Sequence, residues 1–227
     1  MSYLYETHLH TSPVSKCARV SPEETVRFYK DMGYDGVFIT NHFVNGNCSV
    51  DHSASWEDQI RYYFSDYHKA KEIGDQIGIK VFPGVEAGYG GTDFLIYGLS
   101  EEFYIDHPEM MDMDMRTRLH FWADNGAFIS HAHPFREANY IDHIRLFPDG
   151  IEAVEVINAN REEKVNTMAR LYADTYGFLY TAGSDNHTAG GQKLLAGIKT
   201  ETPVNSVEDF IAKIRNQETE IFTIQRD

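Results

Sequence analysis

The chain has 227 residues, 42% of them hydrophobic, and carries a formal net charge of −15 at pH 7. This length and apolar content predict a single domain with a full core, and the acidic surface disfavours nucleic acid and anionic membranes, because both attract proteins through positive charge. Two cysteines without CxxC spacing disfavour a disulfide framework. The sequence shows neither a signal peptide nor an apolar run near the ~18 residues of a membrane span, so we expect a cytoplasmic protein.

Short apolar stretches predicted as strands alternate with helical patterns along the chain. The opening strand starts at Tyr3, and the later ones are predicted at 36–40, 80–85, 93–98, 127–130, 151–157 and 178–182. Helices are predicted from a capping box at Ser21 to Gly33 and at 53–76, 111–125, 162–176 and 207–215, with a short tail strand at 220–224. The alternation indicates βαβ units and therefore an α/β fold built on a parallel sheet.

Seven or eight such units in a chain of this length predict a closed or nearly closed barrel. We expect one domain over residues 1–227, with the core at 3–200 and a C-terminal helix and strand in 201–227. In barrels of this type the functional site lies at the carboxyl ends of the strands. A doubly wound open sheet is the alternative, although no GxGxxG motif follows the first strand.

Three short runs place metal-ligand side chains two residues apart at predicted strand ends. They are Thr7-His8-Leu9-His10, Ser130-His131-Ala132-His133-Pro134 and Gly183-Ser184-Asp185-Asn186-His187. Side chains at i and i+2 of an extended segment point the same way, so each run presents a ligand pair on one side. With His42 and Glu86 at two further strand ends, the runs predict one multinuclear centre in which Glu86 bridges two ions. Imidazole and carboxylate ligands suit zinc, manganese and iron.

The ordered ligands form a pattern that resembles a known family. Five motifs carry it: His8-Leu9-His10, Thr40-Asn41-His42, Gly84-Val85-Glu86, Ala132-His133-Pro134 and Gly183-Ser184-Asp185-Asn186-His187-Thr188. On these motifs the chain is similar to the polymerase and histidinol phosphatase (PHP) family over residues 3–200. The resemblance implies a distorted (β/α)7, TIM-like barrel, two or three divalent transition-metal ions (Zn, Mn or Fe) and phosphoester hydrolysis, the activity of most free-standing members.

Carried over motif by motif, the resemblance assigns three metal sites. The ligands would be His8, His10, Glu86 and Asp185 at the first site, Glu86 and His133 at the second, and His42 and His187 at the third.

The chain departs from the family pattern at both of the smaller sites. Family members often complete the third site with a His or Asp, and here either Cys17 is the ligand or Lys16 occupies the space. The second site lacks a further His, for which Asp93 or His131 is the substitute. Asn41 stands where the family has an aspartate, which removes a charge beside the next histidine and alters how that ligand is oriented.

The predicted substrate and only predicted partner is a small phosphomonoester, whose phosphate needs positive groups besides the metals. Arg136 and Arg161 follow predicted strand ends on one rim, and their guanidinium groups match phosphate oxygens, while Arg19 is a weaker candidate on the first loop. A metal-bound hydroxide would attack phosphorus in line, and His187 or His131 would donate a proton to the leaving group.

Two functions of other classes are alternatives. A related metallohydrolase could cut C–N bonds, although no lysine stands at the end of a middle strand to bridge two metals. A non-catalytic, metal-binding accessory domain is favoured by the missing third-site ligand and opposed by the presence of Glu86 and Asp185. Neither the particular phosphoester nor the oligomeric state is predicted.

Overall fold

The computed structural model describes residues 2–227 as ten strands, six α-helices and two short 3₁₀ helices. The strands are β1 (Tyr3–Glu6), β2 (Gly36–Ile39), β3 (Lys80–Pro83), β4 (Val85–Tyr89), β5 (Thr92–Tyr97), β6 (Phe128–Ala132), β7 (Ala153–Asn158), β8 (Leu179–Gly183), β9 (Leu194–Thr200) and β10 (Thr219–Gln225). The α-helices are α1 (Pro22–Asp31), α2 (Trp56–Ile77), α3 (Glu101–Asp106), α4 (Met115–Asp124), α5 (Glu163–Tyr176) and α6 (Val207–Arg215). Among residues 2–227, no helix has both the length and the apolar character needed to cross a membrane.

Capping residues set the helix boundaries. Ser21 forms the predicted capping box in front of α1. Helix α2 begins at Trp56 rather than at the predicted residue 53, because Ser55 is its N-cap, and it ends at Gly78 in the left-handed conformation (φ 76°). Helix α3 and strand β9 were not predicted, and both lie in stretches where the apolar pattern is short. Strand β4 was not predicted as a separate strand either, because the single strand predicted at 80–85 covers β3 and only the first residue of β4.

The strands form two five-stranded sheets, ordered β10-β9-β1-β2-β3 and β4-β5-β6-β7-β8. The α/β class is confirmed, but these ladders do not show the predicted distorted (β/α)7, TIM-like barrel, and the two sheets are not closed. Strand β5 runs antiparallel to both of its neighbours, β4 and β6. Only Gly90 and Gly91, with φ of 56° and 92°, join β4 to β5. A connection this short makes a hairpin, whereas parallel strands need a crossover of about a dozen residues or more.

Isolated bridges connect the two sheets at the strand ends that carry the histidine motifs. Leu9, after β1, pairs with Asn186, and His42, after β2, pairs with Glu86 of β4. The Asp185 amide also donates to the His8 carbonyl at 2.8 Å. The motifs therefore meet where the two sheets meet.

Aromatic side chains fill the interior between the sheets. Phe38 of β2 packs on Phe82 of β3 and on Phe210 of α6, with ring centroids 4.8 and 4.3 Å apart. Tyr97 of β5 packs on the same Phe210 ring and donates its hydroxyl to the Thr7 carbonyl at 2.8 Å. This packing holds β1, β2 and β5 around one interior and so brings the segments that follow them together.

Gly183, the last residue of β8, lies where a side chain has no room. A methyl group there would overlap the His8 side chain and lie 3.1 Å from the Glu155 carboxylate. We expect Gly183→Ala to lower the free energy of unfolding by about 1–3 kcal/mol, the usual cost of overpacking a core. Gly190→Ala is the matched control, because no atom lies nearer than 3.8 Å to its added methyl. Urea unfolding of both variants measures the effect, and equal transition midpoints would contradict the overlap.

Candidate metal centre

Glu86 lies at the middle of a cluster of four histidines. Its Oε1 atom is 3.2 Å from both His8 Nε2 and His133 Nε2. Its Oε2 atom is 2.6 Å from His42 Nδ1 and 3.4 Å from His10 Nε2. Each oxygen of this buried carboxylate thus faces a different pair of imidazoles, which is the arrangement that a carboxylate bridging two ions requires.

Asp185 is the second carboxylate of the cluster. Its Oδ1 atom lies 3.4 Å from His10 Nε2, 3.7 Å from His8 Nε2 and 3.5 Å from His187 Nδ1. Asp185 has a φ of 50°, just beyond the end of β8, and this turn of the backbone directs its side chain toward the end of β1.

Three groups of ligand atoms are compact enough to hold an ion, each with its atoms within 4.8 Å of one another. They are His8/His10/Asp185, His8/Glu86/His133 and His10/His42/His187. The donor set fits divalent transition metals, which prefer imidazole nitrogen and carboxylate oxygen. Glu86 Oε2 is buried, and although His42 Nδ1 lies 2.6 Å away, the geometry forms no hydrogen bond to it among residues 2–227, as expected of an atom that serves as a ligand.

The cluster holds its carboxylates in the charged form. Burial alone would raise the pKa of Glu86, but His42, His8 and His10 outweigh it and hold that pKa well below its usual range. Burial together with His42 and His187 lowers the pKa of His10 to about 3, so this ring is neutral at pH 7 and has a lone pair for a metal. Anionic carboxylate and neutral imidazole are the protonation states that metal ligation needs.

Two arginines enter the cleft beside the cluster. Arg161 Nη2 lies 2.7 Å from Asp185 Oδ2, and Arg136 Nη2 lies 3.1 Å from Asp93 Oδ2. Both line a cleft of about 530 Å³ that is also lined by Glu86, and the Nε atoms of both are buried without a partner among residues 2–227. Asp93 Oδ2 is 3.9 Å from His133 Nε2, so this carboxylate stands between an arginine and a metal-ligand candidate.

His131 lies outside the cluster, contrary to its predicted position beside His133. Its Nε2 atom is 2.7 Å from Thr92 Oγ1, and its ring stacks on Phe94 with centroids 4.7 Å apart. The expectation failed because strand β6 ends at Ala132 and His133 has a φ of 27°, so the i, i+2 rule for extended chain no longer applies. His131 is therefore not among the residues of the three ligand groups or of the cleft lining, and its catalytic role stays a prediction.

The first-loop candidates differ in position. Arg19 is exposed and is not among the residues that line the cleft. Cys17 does line it, and hydrogen bonds from His187 and His42 outweigh burial and lower the pKa of its thiol to about 6. A thiolate beside two imidazoles is chemically suited to metal binding, and the role of Cys17 as third-site ligand stays a prediction.

Besides Glu6, whose Oε1 atom accepts from the His8 amide at 2.8 Å, two buried carboxylates in contact with this region were not predicted as site residues. Glu155 Oε1 lies 2.8 Å from His8 Nδ1, and Asp66 Oδ2 accepts from Thr11 Oγ1 at 2.9 Å. A signal existed for both, since an acidic residue inside an apolar strand or on the apolar face of a helix is rarely buried without a partner.

Comparison with solved structures shows a shared fold. A two-domain protein from Bacteroides vulgatus containing a predicted PHP-like metal-dependent phosphoesterase superposes with a TM-score of 0.69 at 16% identity, over 98% of this chain and 65% of its own. A protein from Bifidobacterium adolescentis, whose metal-dependent phosphoesterase activity is likewise a prediction, gives a TM-score of 0.55 at 13% identity over 95% and 96%. An amidohydrolase from Chromobacterium violaceum with bound sulfate and no metal gives 0.54 at 15% over 95% and 97%. No family model and no curated protein matches the chain.

The present chain therefore spans less than two thirds of the length of the Bacteroides protein. The resemblance seen in the motifs is confirmed to this extent: the chain has the fold of proteins described as PHP-like. Identities of 13–16% establish the fold alone.

Glu86→Gln tests the bridging position. We expect the metal affinity of the variant to fall by at least ~10–100-fold, the loss typical for groups that hydrogen-bond to metal ligands. The reason is that the amide replaces two anionic oxygens with one neutral oxygen, which is a weak metal ligand. Metal content after dialysis against Mn²⁺ or Zn²⁺, measured by mass spectrometry, is the readout. Glu72→Gln, at an exposed position on α2, is the control. Unchanged metal content in Glu86→Gln would argue against a bridging role.

Metal binding should weaken as the pH falls. Burial opposes protonation of His8, but Glu155, Asp185 and Glu86 outweigh it and raise the pKa of His8 well above its ordinary value. Below that raised pKa the metal-free ring carries a proton that an ion must displace, so binding releases protons and acid disfavours it. Calorimetric titration with Mn²⁺ at neutral pH, in buffers of different ionisation enthalpy, measures the release. Binding without proton release would contradict this protonation state.

Proposed function

We propose that the protein is a metal-dependent phosphoester hydrolase that acts on a small phosphomonoester. The observation that carries the proposal is the arrangement around Glu86, where three compact ligand groups share one cleft with Arg136 and Arg161. The ligand groups favour a di- or trinuclear centre, and the arginines favour an anionic substrate. The PHP-like structural neighbours support the same class of reaction.

The ligand groups would hold two or three ions of Zn, Mn or Fe. When bound, such ions polarise a phosphoryl oxygen and lower the pKa of a coordinated water to about 7. His8, His10 and Asp185 would hold one ion, and Glu86 and His133 a second. His42 and His187 would hold a third.

The arginines would bind and orient the phosphate. Arg136 and Arg161 are each paired with a carboxylate, Asp93 and Asp185, which fixes the guanidinium groups toward the cleft. Guanidinium N–H groups of both residues would donate to phosphate oxygens. In a chain of net charge −15 these two cations and the metal ions supply the local positive field that an anionic substrate needs.

His187 is the remaining candidate for proton transfer to the leaving group. It lines the cleft, and its side chain is 18% exposed, so a bound substrate can reach it. Burial is outweighed by the Cys17 thiol and by Asp185, which raise the pKa of His187 above its ordinary value. If only two ions bind and the third group is empty, a protonated His187 at the cleft wall would donate its proton to a leaving alkoxide or phenoxide.

Hydrolysis of a C–N bond is the second candidate, because the same fold occurs in the Chromobacterium amidohydrolase. The same ions would polarise a carbonyl in place of a phosphoryl group. The two arginines argue against it, since an uncharged amide gives them no ionic partner.

A cytoplasmic location of the protein also stays a proposal.

Phosphate release from a panel of phosphomonoesters with Mn²⁺, Zn²⁺ or Fe²⁺ tests the proposal. We expect Arg161→Met to lower kcat/KM by about 10–100-fold, equivalent to the ~1.5–3 kcal/mol of a hydrogen bond to a charged group, with most of the change in KM. Arg161→Lys should retain part of the activity, and Arg27→Met, on the exposed face of α1, should retain all of it. Metal-loaded protein that releases no phosphate but hydrolyses amides or lactams would favour the second candidate.

A further inference from the structure

We infer that two buried carboxylates outside the ligand set, Glu155 and Asp66, are positioning residues that each orient a different half of the metal centre. The inference rests on the proposed metal centre. We call the two sets of contacts the Glu155 network (Glu155 and Asn158, with His8, His133 and Asp185) and the Asp66 network (Asp66, Thr11, Asn41 and Ser15, with His10 and His42).

The Glu155 network reaches three ligands from strand β7. Glu155 is fully buried, and its Oε1 atom lies 2.8 Å from His8 Nδ1. Its Oε2 atom accepts from the His133 amide at 3.1 Å and from Asn158 Nδ2 at 2.9 Å. Asn158 Nδ2 lies 3.3 Å from Asp185 Oδ2, which extends the network to a third ligand.

These contacts determine how the ligands are presented. A carboxylate only accepts, so Nδ1 of His8 must carry a hydrogen, and the proton that an ion would displace is the one on Nε2, which faces Glu86 at 3.2 Å. His133 and Asp185 both adopt positive φ, 27° and 50°, conformations that cost free energy and need support. Glu155 supports the first through its backbone amide, and Asn158 contacts the side chain of the second.

The Asp66 network reaches the other ligands from helix α2. Asp66 is fully buried and accepts from Thr11 Oγ1 at 2.9 Å and from the Val14 amide at 3.2 Å. Asn41 Nδ2 donates to Thr11 Oγ1 at 2.9 Å, and Asn41 Oδ1 accepts from Ser15 Oγ at 2.9 Å. The chain of donors therefore runs from Ser15 through Asn41 and Thr11 to the carboxylate.

The direction of these hydrogen bonds determines which nitrogen of His10 carries the hydrogen. Ser15 Oγ has a single hydrogen, which it gives to Asn41, so toward His10 Nδ1 (3.3 Å) and the His42 amide (3.0 Å) it can only accept. His10 Nδ1 then carries the hydrogen, and its Nε2 has the lone pair that faces Glu86 and Asp185. Asn41 works here because it both donates and accepts, and Asp66 provides the charge absent from position 41.

The two networks are separate. Within residues 2–227 no hydrogen bond joins their supporting residues, and they meet only at the ligands, where His8 Nε2 and His10 Nε2 are 3.3 Å apart. Loss of one carboxylate should therefore affect one half of the centre and leave the other half oriented.

Calorimetric Mn²⁺ titration of the full chain and its variants tests the inference. We expect Glu155→Gln to weaken by about 10–100-fold the ion held through His133, and Asp66→Asn to weaken by a similar factor the ion held through His42, each with the other of these two affinities unchanged. An ion held by His8, His10 and Asp185 draws on both networks and should weaken in both variants. Glu101→Gln is the matched control, because Glu101 pairs with His68 at 2.6 Å far from the cleft. Nitrogen-15 NMR of the imidazoles in the zinc-loaded protein should show the His8 tautomer altered only in Glu155→Gln.

Circular dichroism establishes that each variant is folded. If Asp66→Asn does not fold, Ser15→Ala carries the test, because it removes the acceptor for His10 without touching the buried charge. Variants that weaken every ion equally, or none, would overturn the inference while leaving the proposed function in place. A wild-type chain that binds no metal would overturn both. If the two variants weaken different ions as expected but the metal-loaded protein releases no phosphate, the proposed function alone would be overturned.

Discussion

A buried carboxylate surrounded by imidazole rings is the interaction on which this structure depends. Glu86 is 1% exposed, and removing its charge from water is costly unless nearby groups compensate. Four histidine nitrogens within 3.4 Å supply that compensation, and they come from the ends of β1, β2 and β6. Burial of this one charge therefore requires that those ends meet β4, and the mixed two-sheet arrangement satisfies that requirement without a closed parallel barrel.

The predictable part of the site is the part where residue type and local geometry agree. His8, His10 and Asp185 are polar residues directly after apolar strands, and the structure brings all three together. His131 failed the same rule, because the rule assumes that the chain stays extended up to its partner and the chain turns at His133. The antiparallel β4–β5 pair was missed for a related reason: the pair of glycines at 90 and 91 was a hairpin signal that the repeating strand–helix pattern obscured.

Glu155 and Asp66 could not be assigned from local pattern, because their partners are remote in the chain. Glu155 is 147 residues from His8, and Asp66 is 55 residues from Thr11. No periodicity links residues at such separations, and only the folded arrangement of β7 and α2 brings these carboxylates to the ligands. The ligands themselves are recognisable in sequence, whereas the groups that orient them are a property of the tertiary structure.

Each of the three ligand groups draws on both sheets, since His8, His10 and His42 follow strands of the first sheet and Glu86, His133, Asp185 and His187 belong to the second. At this end the sheets are also joined by isolated bridges and by hydrogen bonds such as that from the Asp185 amide to the His8 carbonyl. A bound ion would therefore hold the two sheets together through ligands from both. It would add about 2.7 kcal/mol to the free energy of unfolding when its free concentration is 100 times its dissociation constant. Without metal the protein should open more readily along this junction, so that metal binding would contribute to the stability of the fold as well as to its chemistry.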